Sequence, residues 1–309
     1  DKPAAIKFLS AEALANDGAR ESIMREARVH AALFLHARSF VVELHGLRPG
    51  RWDMVTARAV GNLASLMHPK PLPPADPWAL GAMTVPRREV LPTVLPLLVQ
   101  LGHGLHHLHG HGVAHGNVTP KNALLFEEGG VLRVKIRRFE LACAAAGVDA
   151  ARGGTVPYMA PELFDSDAVA PTPNSKWRAD VYALGVVLNE ALTGLAPWAG
   201  VKLAVVRRNV MDGARPTTWS SRGDMPGMVK HPCPELHKLA LQELPRLVEA
   251  SWHQVPSGRP SAREVAERLE SLLPHLELAT RVGPTLATPL PSARSRSAPT
   301  ERGAVGGGG

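Results

Sequence analysis

Apolar positions along the first third of the chain alternate, then recur at helical spacing, then alternate again. "PAAIKFL" is a short alternating run that predicts a strand. After a polar turn, "GARESIMREARVHAALF" sets Ile23, Ala27, His30, Ala31 and Phe34 at intervals of three and four, which predicts an amphipathic helix. "FVVELHGL" and "WDMVTARAV" read as two antiparallel strands joined by a turn at Arg48, Pro49 and Gly50. Between His68 and Pro92 prolines crowd the sequence ("HPKPLPPADPW", "VPRREVLP") and disfavour a continuous helix. This stretch is the expected hinge between a small, strand-rich lobe of about residues 1–67 and a larger helical one of about 93–278. Past it the period is helical, in "LPLLVQLGHGLHHLHGHG", "ADVYALGVVLNEALTGL" and "SAREVAERLESLL", the last opened by Pro260 and Ser261. Residues 279–309 hold Ser, Thr, Pro, Arg and four closing glycines, too little apolar content to fold, and a disordered tail is expected there.

Composition narrows the possibilities without naming a function. A chain of 309 residues can bury a substantial core without disulfides, and its two cysteines, Cys143 and Cys233, match no metal or redox spacing. That usage suits a reducing compartment, the cytoplasm or the nucleus. The most hydrophobic stretch, "VLPTVLPLLVQLGHGL", is interrupted by prolines and polar residues, so no membrane span is expected. The sequence begins at Asp1 rather than methionine and without a charged-then-apolar signal pattern, so its true start, with or without a targeting peptide, is expected to lie upstream. Of the net charge of +7, four arginines against one glutamate after Leu278 supply +3. With 5% aromatics and no basic cluster interleaved with stacking residues, nucleic-acid binding is not expected.

Seven fragments taken in order, "AAIKFL", a glutamate inside the following helix, "HGNVTPKN", "VKIRRFELA", "GTVPYMAPE", "ADVYALG" and "GRPSAREV", resemble the successive signatures of the eukaryotic protein kinases, most like the tyrosine-kinase-like group. The resemblance runs from Ala5 to Leu273. It implies an α+β, two-lobed fold with a small β-rich lobe, a larger α-helical lobe and a nucleotide cleft between them. It also implies that Lys7 is the lysine that holds nucleotide phosphates and Glu26 its partner, although a solvated surface pair would give the same spacing. Only six residues precede Lys7, so the glycine-rich loop of the family would lie ahead of this sequence, and nucleotide affinity is expected to suffer without it.

The catalytic motif departs from the family at three places. In "HGNVTPKN" the histidine is His115, but Gly116 replaces the arginine, Asn117 the catalytic aspartate and Thr119 the lysine, while Pro120 and the metal-binding asparagine, Asn122, remain. An amide at Asn117 keeps the shape of a carboxylate but has no basic oxygen at neutral pH. In "VKIRRFELA" Arg138 stands where the magnesium-chelating aspartate would be, and Glu140 replaces a glycine. A guanidinium removes a hard oxygen ligand and repels the cation, so magnesium is not expected. Arg138 either substitutes for the missing cation against nucleotide phosphates or pairs internally with Glu26 or Glu140 and fills the cleft. Without the arginine at 116, ordering of the loop "LACAAAGVDAARGGTVPYM" by phosphate on Thr155 or Tyr158 is not expected.

Scaffold positions survive. The resemblance pairs Glu162 with Arg259 and sets Asp180 as the brace of the backbone around His115 and Gly116. Among the histidines His103, His106, His107, His109 and His111, His103 and His107 stand a helical turn apart, yet without further ligands the cluster reads as surface or packed residues rather than a metal site. Three functions follow. The first is a pseudokinase that binds a kinase or a signalling substrate as scaffold or allosteric partner, with weak ATP binding at most. The second is an active Ser/Thr or Tyr kinase with unconventional residues. The third is an adaptor acting through its tail or through "PLPPADP", which can be extended and dock on aromatic grooves.

Overall fold

The computed structural model of the protein describes residues 3–8, 12, 16–36, 38–48, 50, 52–68, 90–144, 153–164, 173–218 and 234–280. The expected tail beyond 280 and the "PLPPADP" segment fall outside them.

A three-stranded antiparallel sheet forms the small lobe. β1 (Ala4–Lys7) and β2 (Leu44–Arg48) flank β3 (Asp53–Ala57), with a bulge in β2 between Leu44 and Gly46. Between β1 and β2 runs α1 (Asp17–His36), started by Asn16, whose side-chain oxygen accepts from the N–H groups of Gly18 at 2.8 Å and Ala19 at 3.3 Å. The buried face of α1 is Ile23, Glu26, Ala27, His30 and Leu33, whereas Ala31 is exposed. The inward stripe is therefore rotated from the expected one, because it must include the polar residues that face the cleft. Ile23 and Ala27 close a small cluster with Met54 on β3.

The lobe connection lies earlier than the prolines suggest. Ala57 and Arg58 still bond within the small lobe, to the carbonyls of Glu43 and Pro3, but the Val60 N–H reaches the Leu125 carbonyl at 2.8 Å. β4 (Gly61–Asn62) then joins the large-lobe sheet, and α2 (Leu63–Met67) buries Leu63, Leu66 and Met67 in the large core. The chain thus crosses at residues 58–60, and the small lobe ends there rather than near 67. Prolines mark where a helix cannot run; the crossing itself is irregular backbone whose Arg58 and Val60 N–H groups bond one to each lobe, and it carries no proline or glycine signal.

In the large lobe, α3 (Val90–Gly110) packs against α7 (Ala262–Thr280), and Gly102 makes the approach close: a Cβ there would lie 3.0 Å from that of Ala266. α7 starts from a reciprocal cap in which Ser261 Oγ accepts from the Glu264 N–H and the Glu264 carboxylate accepts from the Ser261 N–H. It runs two residues beyond the expected start of the tail. Between α3 and α7 come β5 (Val113–Ala114), β6 (Ala123–Glu128), β7 (Val131–Ile136), β8 (Cys143–Ala144), α4 (Pro173–Thr193), α5 (Leu203–Met211) and α6 (Pro234–Ser251). α4 is buried on all sides from Ala179 to Thr193 and forms the axis of the lobe. β6 and β7 form a hairpin whose two loop residues, Gly129 and Gly130, both have positive φ, as the tightest hairpin turns require. The strands after Leu91 complicate the expected division into strands before and helices after. The expected two-lobed α+β architecture is nonetheless the one found.

Candidate functional site

Four charged side chains meet between the lobes. Lys7 at the end of β1 bonds the Glu26 carboxylate on α1, and its Nζ also lies 3.1 Å from Glu140 Oε2. The other oxygen of Glu140 accepts from Arg138 Nη2 at 2.5 Å. Of the two internal partners expected for Arg138, the geometry selects Glu140. The result is a chain of alternating charge, Glu26–Lys7–Glu140–Arg138, spanning β1, α1 and the segment after β7. Burial alone would raise the Glu140 carboxyl, but Lys7 and Arg138 outweigh it and hold the group below the usual carboxylate range. Arg138 adopts a left-handed backbone, φ 69°, which costs a non-glycine residue about 1 kcal/mol and aims its side chain at Glu140.

The catalytic-motif loop is braced from below. Asp180 on α4 accepts the N–H groups of His115 and Gly116, both at 2.8 Å, and also faces His109 Nε2 at 2.9 Å. His115 is buried, and its Nδ1 accepts from the Asn117 N–H at 3.3 Å. The proton therefore sits on Nε2, which donates to the Arg137 carbonyl at 2.8 Å. Burial pushes the His115 pKa down, opposed only in part by Asp180 and that carbonyl. Its ring meets Phe139 edge-on at 5.4 Å, and the His30 ring, tilted, also lies 5.2 Å from Phe139 and is bonded through Nε2 to the Val42 carbonyl. The His30 pKa is likewise lowered by burial.

At the position of the base, Asn117 is buried and its side-chain oxygen is engaged: it accepts from Thr155 Oγ1 at 2.9 Å and from the Thr155 N–H at 3.3 Å. Asn122 turns its amide nitrogen onto the Asn117 carbonyl at 2.8 Å, and Thr119, buried, precedes the single turn Pro120–Asn122. Gly116 has φ 75°, and a Cβ there would stand 2.7 Å from the Leu141 carbonyl oxygen, so the loop is closed against any larger residue.

A magnesium ion needs several hard oxygens free to turn toward it. Here Arg138 contributes a cation and both Glu140 oxygens are held by cations, while Asn122, whose amide N–H bonds the Asn117 carbonyl, offers a single amide oxygen. The donor set does not fit magnesium. Among the described residues no group of three His, Cys, Asp or Glu side chains stands so as to hold a metal. His103 faces Glu270, while His107 and His111 face the carbonyls of His36 and His107.

Further support comes from the ends of the segment that follows. Arg259 grips both oxygens of Glu162, at 2.6 and 2.8 Å, with no side-chain exposure. Tyr158 donates to Glu190 on α4 at 2.8 Å, and His68 faces the second Glu190 oxygen, also at 2.8 Å. Burial first, and then Glu190, pushes the Tyr158 phenol up. The structure thus brings Lys7, Glu26 and Arg138 into one cluster and His115, Asn117, Thr119, Asn122 and Asp180 into another directly below, with Glu162 and Arg259 farther out. Reading the sequence missed Glu190 and His68, which lie 122 positions apart and share no local pattern. The cleft-facing role of His30 was legible in principle, since it sits one helical turn after Glu26.

The protein kinase domain family matches residues 92–269. The chain is 29% identical over 212 residues to the serine/threonine/tyrosine-protein kinase HT1 of Arabidopsis thaliana, covering 68% of this chain and 44% of that protein. It is 26% identical over 288 residues to the receptor-interacting serine/threonine-protein kinase 2 of Bos taurus, covering 87% and 46%. With the serine/threonine-protein kinase PknH of Mycobacterium tuberculosis the figures are 28% over 244 residues, 74% and 34%. The chain spans less than half the length of each of these relatives. No helix among the described residues is long and apolar enough to cross a membrane.

Proposed function

Because the chain belongs to the protein kinase domain family, we propose that it is a pseudokinase: a kinase-shaped signalling scaffold or allosteric partner, bound to a kinase or a signalling substrate in the cytoplasm or nucleus. The observation that carries this reading is the occupied cleft, where Glu140 takes up Lys7 and Arg138 and leaves neither a free phosphate-binding lysine nor a carboxylate for magnesium. Asn117 adds a second, independent deficit. Its oxygen accepts from Thr155 and has no basicity with which to take a substrate proton, a loss worth about 10² to 10⁴ in rate, or roughly 3 to 5 kcal/mol of barrier.

The alternative, an active Ser/Thr or Tyr kinase with unconventional residues, is favoured by the Lys7 and Glu26 contact and by the intact brace at Asp180. Both features also follow from folding alone. Phosphotransfer from labelled ATP, measured for the unmodified protein and for Asn117→Asp and Arg138→Asp separately and together, separates the two. Transfer is expected in none of the first three and at most weakly in the double variant. Robust transfer by the unmodified protein contradicts the pseudokinase.

A further inference from the structure

We propose that the Glu140 carboxylate is a built-in stand-in for nucleotide phosphate: it saturates Lys7, holds α1 against the cleft without ligand, and keeps nucleoside triphosphates out. The inference rests on the pseudokinase reading and adds to it the means by which the cleft is closed. A lysine of this kind needs an anion to orient it, and an open cleft would leave one of its anionic partners to be supplied by ligand. Here Lys7 has two protein carboxylates. Glu26 comes from a helix of the small lobe and is 1% exposed; Glu140 comes from the segment leaving β7 in the large lobe. The contact therefore bridges the lobes as well as filling the site.

The charges explain both the closure and its exclusivity. Two carboxylates and two cations alternate along Glu26–Lys7–Glu140–Arg138, so the chain is neutral and each inner member has two opposite neighbours. A triphosphate would have to displace Glu140 from Lys7 and then lie beside a carboxylate of its own sign, in a partly buried place where repulsion is weakly screened. Arg137, exposed and within electrostatic reach of Glu26 and Glu140, adds a further positive charge. Neutralising Glu140 alone would therefore turn the same residues into a cationic site suited to a polyphosphate, with Arg138 in the position of the missing metal.

The test is thermal unfolding of the full chain with millimolar ATP, once with magnesium chloride and once with EDTA. The proteins are the unmodified one, Glu140→Gln, Glu140→Ala and the combination Glu140→Gln with Lys7→Met, each checked for folding by circular dichroism. Hydrogen exchange of the α1 amides is followed in parallel. The unmodified protein should shift by less than about 1 °C, and Glu140→Gln by about 2 °C or more, equally with and without metal, the shift vanishing when Lys7 is also replaced. Glu140→Ala should speed α1 exchange several-fold, and ATP should slow it again. The proposal is overturned if the unmodified protein binds ATP as tightly as the Glu140 variants, or if folded Glu140 variants bind it no more tightly than the unmodified protein. In the second case, with no phosphotransfer by any variant, the pseudokinase reading stands and only the role of Glu140 falls; phosphotransfer by the unmodified protein removes both.

Discussion

Asp180 carries three hydrogen bonds on one buried carboxylate, two of them to the backbone of the catalytic-motif loop. Asp180→Asn keeps the shape but turns an NH2 toward one of those N–H groups, and should cost about 1.5 to 3 kcal/mol by urea denaturation. Glu162→Gln breaks a pair whose arginine has no exposure, and should cost about 3 to 5 kcal/mol in the same assay. His30 and His115 set a pH dependence of definite sign. Burial lowers both pKa values, so near pH 6.5 and below the unfolded chain takes up protons that the folded one refuses. Their contribution is full above about pH 6.5 and is lost as pH falls, by up to about 1.4 kcal/mol per pH unit for each histidine. Urea midpoints at pH 7.5 and 5.5 should diverge, and less so in His30→Leu. Lys7, Asn117 and Arg138 stand in short motifs and Glu26 on the helix that follows Lys7, so the sequence could single them out. The partnership of Arg138 with Glu140 rather than Glu26 was not legible, since it depends on a left-handed backbone at 138 that no neighbouring residue dictates.

Among the elements, legibility followed the range of the signal. The helix periods of α1, α3, α4 and α7 were plain in the sequence, because i and i+4 positions report one face. The hairpin of β6 and β7 carried its own signal, apolar-rich runs on either side of "GG", but sat in a region read as helical. The crossing at residues 58–60 was not legible, since which strand accepts the Val60 N–H is decided by packing far along the chain. Two glycines test how closely these elements are fitted. A Cβ on Gly185 of α4 would stand 2.7 Å from the Ser251 side chain at the end of α6, so Gly185→Val should cost roughly 1 to 3 kcal/mol through overpacking. Gly116→Arg, which restores the family residue, should destabilise by about as much, because a left-handed backbone and the Leu141 carbonyl both oppose it. Urea midpoints of the two variants check both expectations.

Across the whole molecule, what supports the architecture is separable from what phosphotransfer would need. The brace at Asp180, the Glu162 and Arg259 pair and the Tyr158, Glu190 and His68 network all support folding of the large lobe, and none of them requires a nucleotide. The cleft between the lobes is satisfied by its own residues, which suits a protein whose surfaces rather than whose turnover matter. The most direct measurement is transfer of labelled phosphate from magnesium ATP to the protein itself and to a generic protein substrate, with Lys7→Met as the control. Incorporation by the unmodified protein should equal that of Lys7→Met. Metal-dependent incorporation that Lys7→Met abolishes would contradict the pseudokinase outright.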